Sequence, residues 1–197
     1  MTYRRKDAYY RRAKGAGYRA RSAYKLIELD ERYHILRAGD RILDLGAWPG
    51  GWLQVAAERV GRSGAVVGVD CVAIEPLASP NVSVITGDIH DAVTLEKVRT
   101  ALGGFADVVL SDLAPKLSGV RSTDAARAAE LTRVALDILP TALRPTGRLL
   151  IKLFMGSEFQ ALETELRTRF VEVKTTRPDA TRRGSAELYA FASGYRT

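Results

Sequence analysis

Short apolar segments alternate with longer amphipathic segments along most of this chain, and that alternation limits the fold more than any other sequence feature. Strands are predicted at 41–45, 65–69, 82–86, 107–110, 148–154, 170–175 and 188–192. Helices are predicted near 52–60, 92–102, 124–143 and 158–169, and an earlier one begins after Ser22. Strands that alternate with helices predict a doubly wound, mostly parallel seven-stranded sheet in an α/β domain. No helix separates the last two strands, so they are predicted to form an antiparallel pair at one edge.

Composition narrows the class of protein. The 197 residues suffice for one domain, predicted over 1–197, and contain neither an internal repeat nor a linker. No apolar run approaches the ~20 residues of a membrane helix, so no membrane partner is expected. The single cysteine, Cys71, and the two histidines, His34 and His90, indicate a reducing cytoplasmic location and no metal site. Both histidines are interpreted as ordinary surface or cap residues.

Positive charge is concentrated at the N-terminus. Residues 1–25 contain nine basic residues and one acidic residue, whereas the whole chain carries a net charge of +7. Five of the eight tyrosines lie in the same segment. A solvated basic tail is one interpretation, but basic residues mixed with aromatic residues favour RNA, with its phosphates and stackable bases. Residues 1–21 are therefore predicted to be an RNA-binding extension, with contacts from Arg4, Arg5, Lys6, Arg11, Arg12, Lys14, Arg19 and Arg21.

The first predicted strand ends in a glycine-rich turn, DLGAWPGGW, at residues 44–52. Glycines at this point let a ligand approach the backbone at the start of a helix. The spacing is neither the G-x-G-x-x-G of dinucleotide sites nor a phosphate-binding P-loop. The turn alone is weak evidence, because a tight structural turn has the same composition.

Acidic residues follow the next three strands, with Asp70, Asp88 and Asp112 at successive strand ends. Ligands of open α/β sheets bind at these ends, where a carboxylate can accept hydrogen bonds from a ribose diol or an adenine amino group. Any one of these residues could be a helix cap. Together they predict a pocket for an adenosine-containing ligand without a phosphate cradle, which suits S-adenosylmethionine better than NAD or ATP.

Lys152 interrupts the apolar strand RLLIKLF. A buried lysine must be paired, neutral or directed into a cleft. Strand five is expected beside strand four, which places Lys152 near Asp112. A salt bridge without chemistry is one interpretation. The other is a group that deprotonates or polarises a hydroxyl, since burial and a nearby second cation favour the neutral amine.

Several motifs together resemble the FtsJ-type RNA 2′-O-methyltransferases: the glycine turn with Asp70 and Asp88, SDLAP at 111–115, IKLF at 151–154 and SAELY at 185–189. The resemblance runs nearly end to end, including GYRARSAYKL at 17–26. It implies a Rossmann-like class I methyltransferase fold and a catalytic tetrad of Lys25, Asp112, Lys152 and Glu187. It also implies S-adenosylmethionine as cofactor, bound through Gly46, Pro49, Gly50, Trp52, Asp70, Asp88 and Asp112.

The same resemblance implies 2′-O-methylation of ribose in structured RNA by a protein expected to be a monomer. The implied target is a uridine in the A-loop of large-subunit ribosomal RNA, within the large ribosomal subunit. Modification of tRNA or another RNA, and a catalytically silent RNA-binding protein, remain alternatives. Small-molecule O-methylation is disfavoured by the basic N-terminus.

Overall fold

The computed structural model describes residues 8–115, 118–182 and 184–196, which form one seven-stranded sheet with helices on both faces. The strands are β1 (Arg41–Leu45), β2 (Ala65–Asp70), β3 (Val82–Thr86), β4 (Ala106–Ser111), β5 (Leu143–Phe154), β6 (Phe170–Thr176) and β7 (Glu187–Tyr195). The helices are α1 (Ala8–Gly15), α2 (Ala23–Tyr33), α3 (Gly51–Val60), α4 (Ala92–Leu102), α5 (Arg121–Asp137), α6 (Leu139–Ala142) and α7 (Phe159–Arg169).

The strand order β3-β2-β1-β4-β5-β7-β6 confirms the predicted fold class. All neighbouring pairs are parallel except the two that involve β7, which is antiparallel to both β5 and β6. The antiparallel strand therefore lies one position inside the edge, and β6 is outermost. Strands β1, β4 and β5 are adjacent, so the ends of the strands that carry the candidate site residues meet at one side of the sheet.

The two faces of the sheet bury separate apolar clusters. On β1, Leu43 and Leu45 pack with residues of α4 to α7, while Ile42 packs with residues of α2 and α3. This division follows from the two-residue repeat of a strand, which points alternate side chains to opposite faces. Both faces are apolar because helices cover both.

Some boundaries differ from the sequence prediction. The helix predicted over 124–143 is two helices, α5 and α6, which are separated at Ile138, and Pro140 lies in the first turn of α6. Strand β5 begins at Leu143 rather than at 148. Ser22 precedes α2 as predicted, but its side chain makes no capping hydrogen bond. His34 ends α2 in the left-handed conformation, which fits the predicted cap role.

None of the helices in the described ranges combines the length and apolar composition needed to cross a bilayer.

The described part of the basic N-terminal segment is folded onto the domain. Helix α1 was not predicted, and it packs on α2 through Tyr9, whose ring lies 5.9 Å from that of Tyr24. Tyr18 meets the other side of Tyr24 edge-on at 5.8 Å, and Ala13 is buried beside them. These three tyrosines therefore pack the N-terminal segment against α2, a role that was not predicted from the sequence. Arg4, Arg5 and Lys6 lie outside the described residues.

One buried ion pair joins the beginning of β1 to β5. Arg148 Nη2 lies 3.0 and 2.9 Å from the two carboxylate oxygens of Asp40, and Arg148 Nη1 donates to the Ile35 carbonyl. Both side chains are less than a tenth exposed. Removing one partner would leave an uncompensated buried charge, which typically costs 3–5 kcal/mol.

We expect Arg148→Met to lower the free energy of unfolding by about 3–5 kcal/mol, because it orphans the Asp40 carboxylate. Arg144→Met is the matched control on the same strand. Arg144 pairs with Asp107 at 2.8 Å, but its side chain is 47% exposed, so its loss should cost below about 1 kcal/mol. Urea unfolding measures both variants, and equal losses would contradict the burial argument.

Candidate active site

Lys152 and Asp112 form a buried ion pair at the ends of β5 and β4. Lys152 Nζ donates to Asp112 Oδ1 at 2.9 Å and to the Asp112 carbonyl at 2.7 Å. The Lys152 side chain is only 5% exposed. The sequence prediction that Lys152 faces Asp112 across neighbouring strands is therefore confirmed.

Lys25 and Glu187 form a second ion pair beside the first. Lys25 is the third residue of α2, and Glu187 is the first residue of β7. Tyr189 joins the two pairs: its hydroxyl donates to Asp112 Oδ1 at 2.7 Å and accepts from Lys25 Nζ at 3.3 Å. The four predicted tetrad residues thus form one hydrogen-bonded group, with Tyr189 at its centre.

Tyr189 was missed by the sequence analysis, although the strand pattern could have identified it. Residues two apart on a strand share a face, so Tyr189 had to lie on the side of Glu187. Tyr189 is also the neighbour of Lys152 across the β5–β7 ladder. Its side chain is fully buried, which is unusual for a hydroxyl unless it has a partner.

The charges of this group shift the acidities of its members. Burial alone would raise the pKa of Asp112, but the ammonium groups of Lys152 and Lys25 outweigh it, and the pKa lies below its usual value. Burial, together with the carboxylates of Asp112 and Glu187, raises the pKa of Tyr189 well above its usual value. Asp112 is therefore an anion and Tyr189 a hydrogen-bond donor at neutral pH.

An open recess of about 330 Å³ exposes this group to solvent. Lys25, Lys152 and Glu187 line it, and Arg21 and Arg182 add positive charge at its walls. We call it the tetrad recess. An anionic polymer could bring one of its hydroxyl groups to Lys152 here, because the surrounding charge favours phosphates.

A second recess, of about 230 Å³, lies at the ends of β1, β2 and β3, and we call it the cofactor recess. Of the residues predicted to bind a cofactor, Gly46, Asp70 and Asp88 line it. Gly46 has a φ of +75°, and a Cβ atom there would lie 2.8 Å from Leu113. A glycine is therefore required both by the backbone conformation and by the close approach of the next loop.

Asp70 and Asp88 also shape the loops around this recess. The carboxylate of Asp70 accepts hydrogen bonds from the backbone N–H groups of Trp48 and Val72, and that of Asp88 accepts one from His90. These bonds have the form of turn caps. Each carboxylate oxygen has a second lone pair, so both residues keep acceptor capacity for a ligand.

The surroundings of Asp44 indicate whether a positively charged cofactor fits this part of the site. It lies on β1, it is completely buried, and neither carboxylate oxygen has a hydrogen-bond partner in the described chain. Burial raises its pKa well above the usual value, and the nearby Asp112 and Asp70 carboxylates add to the rise. Asp112 already has Lys152 as its counter-charge, whereas no cation in the described residues neutralises Asp44, and the positively charged groups of S-adenosylmethionine would do so. Asp44 was not predicted as a site residue, although an acidic residue within the apolar strand RILDL indicates a special role.

The remaining predicted cofactor residues lie outside the lining of the cofactor recess. Pro49 and Gly50 form the glycine turn, on which the Arg19 guanidinium rests, donating to the carbonyls of Pro49, Glu75 and Pro76. Trp52 is buried and donates from Nε1 to the Ser22 carbonyl at 2.8 Å. The predicted cofactor contact of Trp52 therefore stays a prediction.

The basic residues predicted to bind RNA have several different surroundings. Arg11 and Lys14 are exposed on α1. The Arg12 guanidinium lies 4.6 Å from the centre of the Tyr24 ring, and Arg21 donates to the Ala180 carbonyl at the tetrad recess. The Arg19 guanidinium is already hydrogen-bonded to backbone carbonyls of the glycine turn and of the loop at Glu75 and Pro76. The exposed pair on α1 and Arg21 at the recess are thus the best placed of these described residues to meet RNA.

Comparison with known proteins agrees with this geometry. Residues 18–195 match the family model of the FtsJ-like methyltransferases. The chain is 51% identical over 191 residues to the ribosomal RNA large subunit methyltransferase E of Methanothrix thermoacetophila, covering 97% of this chain and 73% of that protein. It is 45% identical over 193 residues to the protein of the same name from Methanothermobacter thermautotrophicus, covering 98% and 92%.

Solved structures give the same assignment. A Plasmodium falciparum protein described as a ribosomal RNA methyltransferase superposes with a TM-score of 0.81 at 32% identity, covering 90% of this chain and 98% of that one. Fibrillarin from Aeropyrum pernix shares the fold at a TM-score of 0.54 and 18% identity, covering 80% and 68%. The chain therefore belongs to the FtsJ-like methyltransferase family, and its cofactor is S-adenosylmethionine.

Proposed function

We propose that this protein transfers a methyl group from S-adenosylmethionine to the 2′-hydroxyl of a ribose in large-subunit ribosomal RNA. The observation that carries the proposal is the buried Lys152–Asp112 pair, joined through Tyr189 to Lys25 and Glu187 at the floor of a basic recess. The names of the relatives support ribosomal RNA as the substrate. As finer steps, we propose a uridine of the A-loop within the large subunit, and a protein that acts in the cytoplasm as a monomer.

The tetrad residues have distinct roles in this proposal. S-adenosylmethionine, when bound, supplies a methyl group attached to a positively charged sulfur. Lys152, as the neutral amine, takes the proton of the ribose hydroxyl and becomes an ammonium group, and Asp112 fixes the position of the Lys152 Nζ atom through two hydrogen bonds. Lys25 and Glu187 hold the substrate ribose, and Tyr189 fixes the relative position of the two ion pairs by hydrogen-bonding to both. Fixed positions supply much of the rate of such a transfer.

The direct test is to map 2′-O-methyl groups in large-subunit ribosomal RNA from cells with and without this protein. Purified protein with tritiated S-adenosylmethionine and unmethylated large subunits should restore the missing group, and Lys152→Ala should not. If the protein restores a methyl group only in tRNA, its substrate is tRNA rather than ribosomal RNA. Cofactor binding without transfer to any RNA would favour a catalytically silent RNA-binding protein.

Lys152→Arg separates a base from a fixed positive charge. Arginine keeps the charge and the donors, but it cannot accept the proton because its guanidinium group stays protonated. We expect this variant to be nearly as inactive as Lys152→Ala in single-turnover assays with saturating cofactor and RNA. Substantial activity of the arginine variant would instead assign Lys152 to electrostatic stabilisation.

Asp44→Asn should have opposite effects on stability and on cofactor affinity. Replacing an unpaired buried carboxylate by a neutral amide should stabilise the cofactor-free protein at neutral pH, because burying an unpaired charge costs more than burying an unpaired neutral polar group. It should weaken S-adenosylmethionine binding by about 10- to 100-fold, because charged hydrogen bonds contribute about 1.5–3 kcal/mol. Thermal unfolding and calorimetry measure the two effects.

The pH dependence supplies a check on the same variant. Because the folded-state pKa of Asp44 is raised, there is a pH range below that pKa in which the folded carboxyl is protonated while that of the unfolded chain is ionised. The penalty that Asp44 imposes on the cofactor-free protein should therefore grow as pH rises from the ordinary aspartate pKa to the raised folded-state pKa, and it should level off above it. Wild-type cofactor affinity should grow over the same range. An asparagine variant with the wild-type pH profile for cofactor binding would contradict the assignment.

The exposed charges of α1 should contribute to RNA binding without affecting the cofactor. We expect Arg11→Gln/Lys14→Gln to weaken RNA binding and to reduce the slope of log affinity against log salt by about one to two. Arg62→Gln/Lys97→Gln is the matched control, since both residues are exposed and Arg62 precedes β2 at the opposite end of the sheet. Equal slopes for the two double variants would place the RNA elsewhere.

Arg19→Gln should behave differently from the α1 variants. Its guanidinium holds the glycine turn to the loop at Glu75 and Pro76, so its loss should weaken cofactor binding as well as RNA binding. Isothermal calorimetry with S-adenosylmethionine measures this effect. Unchanged cofactor affinity would show that the turn keeps its shape without the arginine.

A further inference from the structure

A third recess, of about 600 Å³, adjoins the tetrad recess, and the proposed proton transfer does not use it. Phe154 borders both recesses, and Met155, Asp124, Arg177 and Ser185 form other parts of the wall. We call this third space the side recess. Its lining combines the apolar side chains of Phe154 and Met155 with the polar residues Asp124, Arg177 and Ser185, and such a mixture is typical of small-molecule sites.

Phe154 is placed by the same strand that places Lys152. The two residues are two positions apart on β5, so their side chains share the face that carries the tetrad. Lys152 Nζ lies 5.9 Å from the centre of the Phe154 ring, and Glu187 is the partner of Phe154 across the β5–β7 ladder. Any group bound at Lys152 is therefore within reach of this ring.

Core packing does not account for these apolar side chains. Phe154 is half-buried and lies outside the apolar clusters formed by the described residues. The neighbouring Met155 is 51% exposed. Phe159, only a few residues later, does pack against the core, so the position of Phe154 is not a general property of this part of the chain.

The polar part of the wall is already ordered. The Asp124 carboxylate accepts hydrogen bonds from Ser118 N and Oγ, both at 2.7 Å, and from Gly119 N at 3.1 Å. Arg177 Nη1 donates to the Ser185 carbonyl at 2.8 Å. A wall held by such bonds needs little ordering when a ligand enters, which lowers the cost of binding.

We infer that the base of the nucleotide that receives the methyl group stacks on Phe154 and occupies the side recess; this inference rests on the proposed function. The 2′-oxygen and the base are attached to adjacent carbons of the ribose, so a hydroxyl held at Lys152 brings its own base to the Phe154 ring. Bases stack on aromatic side chains when they are unpaired and turned out of a helix. The substrate class is thus an RNA whose target nucleotide is unstacked.

The test combines a change in the protein with a change in the RNA. Large subunits are reconstituted from ligated ribosomal RNA in which the mapped methyl-acceptor nucleotide either keeps its base or is abasic, with the 2′-hydroxyl present in both. Stacking on an aromatic side chain contributes about 1–3 kcal/mol per base, so wild-type protein should lose roughly 5- to 150-fold in single-turnover kcat/KM on the abasic RNA. Phe154→Ala should lose a similar factor on the intact RNA.

The two losses should not multiply. If the base stacks on Phe154, the alanine variant on abasic RNA should be little slower than with either change alone. Phe154→Trp should keep most of the wild-type rate, and cofactor affinity should be unchanged throughout. Phe105→Ala is the matched control, since Phe105 is exposed but precedes β4 at the opposite end of the sheet.

Independent losses whose factors multiply would overturn the inference and leave the proposed function intact. So would coupling between Phe154 and the base of a neighbouring nucleotide instead of the acceptor. Absence of methyl transfer by the wild-type protein to the intact large subunit would overturn the proposed function, and the inference with it.

Discussion

The Asp112 carboxylate is the interaction on which the site depends. Its Oδ1 atom accepts hydrogen bonds from Lys152 and Tyr189, and Tyr189 in turn contacts Lys25. A buried pair of this kind is costly to form and costly to break, so it is poor evidence for stability alone. Its value lies in geometry: it fixes the end of a long, flexible side chain at one point of the recess. Because β4, β5 and β7 are adjacent, the sheet itself brings Asp112, Lys152 and Tyr189 together.

The cofactor side of the site has the opposite electrostatic character. Asp70 and Asp88 line it, and the nearby Asp44 carboxyl is buried without a hydrogen-bond partner in the part of the chain described. Such an arrangement opposes folding of the cofactor-free protein and favours a cationic ligand, so stability has been exchanged for affinity. The tetrad recess, by contrast, has the ammonium groups of two lysines and two nearby arginines. The two neighbouring recesses thus prefer ligands of opposite charge. One suits a cationic methyl donor and the other an anionic polymer, and the two recesses meet at Asp112.

The sequence predicted the regular part of the molecule well. Strands β1 and β3 and helix α4 have the predicted limits, because clear periodicity and flanking glycines mark them. The tetrad could be assigned because its members stand in motifs and its lysine breaks an apolar strand. Tyr189 and Asp44 were missed because their importance depends on neighbours in other strands rather than on nearby sequence. Helix α1 was missed for a similar reason: its short, highly basic sequence is stabilised by Tyr24 of α2, a tertiary contact that local propensity does not contain.

The folding of the N-terminal segment changes what its charges can do. A flexible tail would attract RNA without orienting it, whereas residues 8–21 are attached to the domain at three places. Tyr9 packs on Tyr24, Arg19 holds the glycine turn, and Arg21 holds the Ala180 carbonyl beside the tetrad recess. The segment therefore spans from the glycine turn to the wall of the tetrad recess. Phosphate contacts proposed for α1 would lie at a fixed distance from Lys152, so the same charges would help to select which ribose reaches the tetrad.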